Sequence, residues 1–86
     1  MSDSGTAGVE VRYFAGLVDL AGVQTEHFVD VADLDGLRAA IIERHGPKIE
    51  KSISVSSFLA NGKRLAKAQS LDGVAAVDAL PPFAGG

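Results

Sequence analysis

The chain has 86 residues, a formal net charge of −3 and 47% hydrophobic residues, which suits one globular domain burying roughly 60% of its unfolded surface. It has no cysteine, which excludes disulfides, thiolate metal sites and a cysteine nucleophile. Eight Lys and Arg against eleven Asp and Glu, with no basic stripe interleaved with aromatics, argue against nucleic acid. No apolar run approaches the ~20 residues that cross a bilayer.

Residues 1–8, "MSDSGTAG", read as a flexible leader. They lack the basic and apolar regions of a signal peptide, so a cytoplasmic location is expected. "VEVRYF", Val9 to Phe14, alternates, with Val9, Val11 and Tyr13 on one side and Glu10, Arg12 and Phe14 on the other. That is a half-buried strand. "AGLVDLAGV" holds two glycines and reads as a hairpin connection. "QTEHFVDV", Gln24 to Val31, reads as a second strand whose facing is open, because His27, Phe28 and Val29 run together. Asp33 is placed to cap a helix in which Leu34, Leu37, Ala40 and Ile41 share one stripe. Arg44 and His45 fall in its last turn, and Gly46-Pro47 stops it. "KIEKSI" adds at most one further helical turn.

"SSFLANGKRLA" reads as two short strands around Asn61-Gly62, since both central positions of such a hairpin need positive φ. "KAQSLDG" reads as a loop, and "VAAVDAL", Val74 to Leu80, as a final strand closed by Pro81-Pro82. The predicted order is strand, strand, helix, strand, strand, strand. The fold class is therefore α+β, a sheet of four to five strands with one main helix on one face and the other face open. The domain spans residues 9–80, and residues 81–86 form a flexible tail.

Parity then places side chains on the open face. If Val77 and Ala79 point inward, Asp78 and Leu80 point outward, and Phe14 lies outward on the first strand. Phe58 is expected to join Phe14 and Leu80 in an apolar docking patch.

Resident chemistry is missing. His27 and His45 lie in different elements without a partner at ligand spacing, so no metal is expected. The serines of "SISVSS" have no nearby base, and the glycines form no phosphate loop. The chain is not expected to be catalytic alone. The tail remains. A carboxylate on Gly86 can attack the α-phosphate of ATP if another protein holds it there, giving an acyl-adenylate. Gly85 and Gly86 carry no side chain, so they thread a narrow channel and adopt angles closed to other residues. Pro81 and Pro82 keep the preceding segment extended, which lowers the ordering cost of insertion, and Phe83 supplies an apolar anchor before Ala84.

"VRYFAGLVDLAG", "FLANGKRL" and "VDALPPFAGG" together resemble the MoaD/ThiS sulfur-carrier family, across roughly Val9 to Gly86. The "YFA…LAG" opening and the Pro-Pro to Gly-Gly ending are most similar to small subunits of molybdopterin synthase. The resemblance implies the ubiquitin-like β-grasp fold. It implies that an adenylating enzyme of the ubiquitin-activating type activates Gly86 with ATP, and that a persulfide-bearing sulfurtransferase converts it to a thiocarboxylate. It further implies that Pro81 to Gly86 insert into the molybdopterin synthase large subunit, in a heterotetramer, to deliver sulfur to the pterin precursor. Phe14, Phe58 and Leu80 fall where the family places its partner-facing patch. In one departure, Val74, Ala75 and Ala76 stand where the family carries a glycine and two acidic residues, which allows a different partner. The alternatives are a carrier for thiazole, cysteine or another sulfur metabolite, a ubiquitin-like protein modifier, and a β-grasp interaction module with an inert tail.

Overall fold

The computed structural model describes residues 8–82. In chain order these form β1 (Gly8–Tyr13), α1 (Gly16–Ala21), β2 (Thr25–Val29), α2 (Leu34–His45), α3 (Pro47–Val55), β3 (Ser57–Ala60), β4 (Lys63–Arg64) and β5 (Ala76–Leu80). The strands make one sheet in the order β2-β1-β5-β3-β4. β1 and β5 are parallel, and the other pairs are antiparallel. This is the ubiquitin-like β-grasp arrangement, a mixed five-strand sheet gripping its helices on one face.

The alternation of β1 holds. Val9, Val11 and Tyr13 are buried, and they join Val77, Ala79 and Phe28 in one core with helical residues Leu17, Leu34, Leu37, Ile41, Ile49 and Ile53. The apolar stripe of α2 faces that core as its i, i+3, i+7 spacing requires. Asp33 caps it, its Oδ1 accepting the Gly36 N–H at 2.7 Å, and Arg44 and His45 lie in its last turn. At the β3–β4 hairpin Asn61 and Gly62 have φ of 53° and 79°, and Leu59 and Ala60 pair with Arg64 and Lys63.

Four segments differ from the sequence expectation. Gly16 to Ala21 is a helix rather than a plain hairpin connection, and it buries Leu17 and Ala21, one turn apart. Gly22, in the left-handed region at φ 79°, ends α1 by donating its N–H to the Val18 carbonyl. Pro47 does not only stop α2. It occupies the first turn of the nine-residue α3, where its missing N–H is not needed, and Ile49 and Ile53 follow on the buried side. β5 starts at Ala76 rather than Val74, because Gly73, at φ 79°, makes a turn closed by the Val74 N–H on the Leu71 carbonyl. Phe58 points into the core and is 1% exposed, not on the open face. It pairs with Ala79, an inward residue, so both take the inner side. Ser57, opposite Leu80, and Leu59, opposite Asp78, are the residues of β3 that face outward.

Candidate functional site

β5 lies between β1 and β3, so the chain leaves the sheet from a strand hydrogen-bonded on both flanks. The Phe14 N–H donates to the Ala79 carbonyl at 3.1 Å, and Ser57 pairs with Leu80. Phe14 and Leu80 therefore stand side by side on the face away from the helices. Phe14 is 43% exposed, Leu80 and Pro81 are half-buried, and Pro82 is exposed. Neither proline donates to a ladder, so pairing ends at Leu80. Phe83, Ala84, Gly85 and Gly86 lie outside the described residues. Of the three expected patch residues, the structure brings Phe14 and Leu80 together and removes Phe58 to the core.

Behind the patch the open face is polar. Arg12 sits between Glu10, at 3.7 Å, and Asp78, at 3.6 Å. All three are substantially solvated, so these pairs set charge pattern more than stability. Among the described residues no three His, Asp or Glu side chains are grouped to hold a metal ion.

A polar cluster that the sequence reading missed braces this end of the sheet from the inner side. Glu26 faces inward opposite Val11. Its Oε2 accepts the Tyr13 hydroxyl and meets His45 Nε2 at 2.5 Å, and its Oε1 accepts from Arg44 Nη1 at 3.3 Å. Arg44 also donates to the His27 carbonyl at 3.2 Å and stacks over the Phe28 ring at 4.1 Å. Burial opposes the Glu26 charge. The hydrogen bonds from Tyr13, His45 and Arg44 and the field of His45 outweigh it, and they hold the carboxyl below its usual range. Burial first, then the bond to Glu26, pushes the Tyr13 phenol well above its usual range. The cluster ties the end of α2 to β1 and β2, one residue before Phe14. Tyr13 was legible as an inward residue, but the inward turn of Glu26 was not, because the register of β2 was open.

No protein-family model matches the chain, and no curated protein matches it in sequence. Solved structures do. Small archaeal modifier protein 1 (SAMP1) from Haloferax volcanii superposes with a TM-score of 0.76 at 25% identity, covering 92% of this chain and 99% of that one. A Pyrococcus furiosus protein designated a candidate molybdopterin converting factor, subunit 1, gives 0.73 at 23% identity, over 91% and 100% of the two chains. SAMP1 from Methanosarcina acetivorans gives 0.70 at 19%, over 96% and 100%. These neighbours bear out the ubiquitin-like β-grasp fold and the resemblance to MoaD/ThiS-type proteins. No helix among the described residues is long and apolar enough to cross a membrane.

Proposed function

We propose that this protein is a sulfur carrier whose Gly86 carboxylate is adenylated with ATP by a ubiquitin-activating-type enzyme and then converted to a thiocarboxylate by a persulfide sulfurtransferase. The client favoured by the sequence resemblance is molybdopterin assembly, with the chain as small subunit beside a large synthase subunit that receives residues 81–86. One observation carries the reading. A Pro-Pro segment leaves the doubly flanked strand β5 beside the apolar pair Phe14 and Leu80, on the face that no helix covers, and leads into Phe83-Ala84-Gly85-Gly86. Such an exit starts the tail from a fixed strand end next to a docking patch, which is what an activating enzyme needs of a carrier whose reacting group is its terminus.

A second reading is conjugation to lysines as a protein modifier, favoured by the two SAMP1 neighbours. The intact mass of the protein from its native host separates the two and shows whether Gly86 closes the mature chain. A species heavier by one oxygen-to-sulfur exchange, lost on deletion of Gly86, is expected for the carrier. High-mass conjugates lost on the same deletion indicate the modifier. A plain carboxylate in the presence of ATP, a sulfur donor and extract, with no conjugates, refutes both.

A further inference from the structure

The burial of Phe58 creates a second feature. A groove runs between the end of α3, the first turns of α2 and the return from the β3–β4 hairpin, and Arg38, Val55, Ser57, Phe58, Arg64 and Lys67 line it. Arg38 is its fixed point. The guanidinium lies over the Phe58 ring, 5.2 Å from the centroid, and Nη1 donates to the Lys67 carbonyl at 3.2 Å. Its side chain is only 20% exposed, and its buried Nε has no partner among the described residues. Among the described residues the one carboxylate lining the groove, Asp35, is 3.4 Å from Arg38. Arg64 and Lys67 are exposed and meet no carboxylate among the described residues. Arg38 and Lys67 against Asp35 leave a local charge of +1 among the described lining residues, and Arg64, paired with the outward Leu59, adds a further cation at the rim, on a chain whose total is −3. Beside them Val55 stands 58% exposed.

The groove is continuous with the tail exit, because Ser57 lines it and pairs with Leu80. A protein that takes the tail beyond Pro82 and covers Leu80 therefore reaches the groove one strand away. We infer that this groove docks an extended acidic segment of the protein that receives the tail, with carboxylates on Arg38, Arg64 and Lys67 and an aliphatic side chain on Val55. The inference rests on the carrier or modifier reading for the identity of that partner. The groove's preference for acidic peptide rests on its own charge and shape. A preorganised, stacked guanidinium loses little freedom when a carboxylate arrives.

The test is a titration of the isotopically labelled full chain, followed by its backbone amide signals, with a peptide alternating Glu and Asp with Leu. A second peptide carries Lys in place of the acids. The acidic peptide is expected to shift Val55 to Phe58 and Arg64 to Lys67, and the Lys peptide to shift none of them. The double variant Arg64→Glu, Lys67→Glu changes only exposed side chains, and it should bind the acidic peptide at least about tenfold more weakly. Binding of the native chain should weaken with added salt. No shifts, shifts centred on Phe14 and Leu80, or the same shifts with inorganic phosphate at similar concentration would overturn the proposal. In native-host extract, equal rates of Gly86 modification for the native chain and the double variant at subsaturating protein would overturn it while the tail chemistry stood. A native chain that is never modified would instead overturn the tail chemistry, and the peptide titration would still decide whether the groove takes acidic segments.

Discussion

Phe14→Ala separates a docking patch from ordinary exposed apolar surface. An aromatic side chain offers about 200 Å² for burial. Phe14 is 43% exposed, which leaves about 85 Å² to be covered by a partner, or about 2 kcal/mol at 25 cal/mol per Å². That corresponds to about 30-fold in affinity. In the free protein the rest of the side chain is already covered, so truncation should also lower stability, by about 1–3 kcal/mol. The assay is the rate of Gly86 modification in native-host extract at limiting protein, run beside a thermal melt. The expected result is a rate about 30-fold lower that recovers as protein is raised to saturation, read at a temperature below the melting transition of both chains. Val29→Ala is the control, because Val29 is as exposed but pairs with Gly8 at the opposite end of the sheet. An unchanged rate in Phe14→Ala, or an equal loss in Val29→Ala, would refute the patch. A loss that did not recover at saturation would place Phe14 in the chemical step rather than in docking.

Three further substitutions probe the frame that positions the patch. Glu26→Gln should cost about 1–2 kcal/mol at neutral pH by removing the charge that Tyr13, His45 and Arg44 hold. A carboxyl held below its usual value stabilises fully above the unfolded pKa, and that stabilisation is lost as pH falls through the folded one. Urea unfolding curves of native and variant chains should therefore converge in acid, and a gap unchanged down to about pH 2 would assign the loss to shape rather than charge. Asp33→Ala removes the acceptor for the Gly36 N–H and should cost about 1 kcal/mol in chemical denaturation; no loss would deny the cap. Phe58→Ala opens a cavity in the core and should cost about 3–5 kcal/mol, enough to threaten a small domain. Unchanged far-ultraviolet circular dichroism and melting would contradict its inward placement.

What could be read in advance was whatever local chemistry decides alone. Val9, Val11 and Tyr13 alternate with polar residues, so their facing follows from the two-residue period. Asp33, then Leu34, Leu37 and Ile41, state a helix start and its buried stripe within eight positions. Asn61-Gly62 requires the turn it makes. The misreadings arose where one residue supports two structures. Pro47 ends one helix and opens another, and nothing local selects between those roles. Gly16 and Gly22 frame a helix so short that Leu17 and Ala21 are its only buried residues. In β3, Phe58 and Leu59 are adjacent and apolar, so parity is undecided until Phe58 meets Ala79 across the sheet. A one-residue slip there exchanges the faces and moves the Phe58 ring between core and open sheet.

The same reasoning separates the residues of the tail, whose expectation is local, from the residues around its exit, whose placement is not. Pro81, Pro82 and the glycines carry their expectation in properties of their own: no N–H, no side chain, a fixed φ. Glu26 matters only because β2 brings it against Tyr13, thirteen residues earlier, and α2 brings His45 against it, nineteen residues later. Arg38 becomes a groove floor only because Phe58 turns inward beneath it and Lys67 presents its carbonyl. β5 joins the two kinds of feature. Its inner residues Val77 and Ala79 are core, its outer residue Leu80 belongs to the patch, and its end sets where the tail begins. Core packing thus fixes the direction of the exit, because Val77 and Ala79 cannot turn outward without exposing the centre of the sheet.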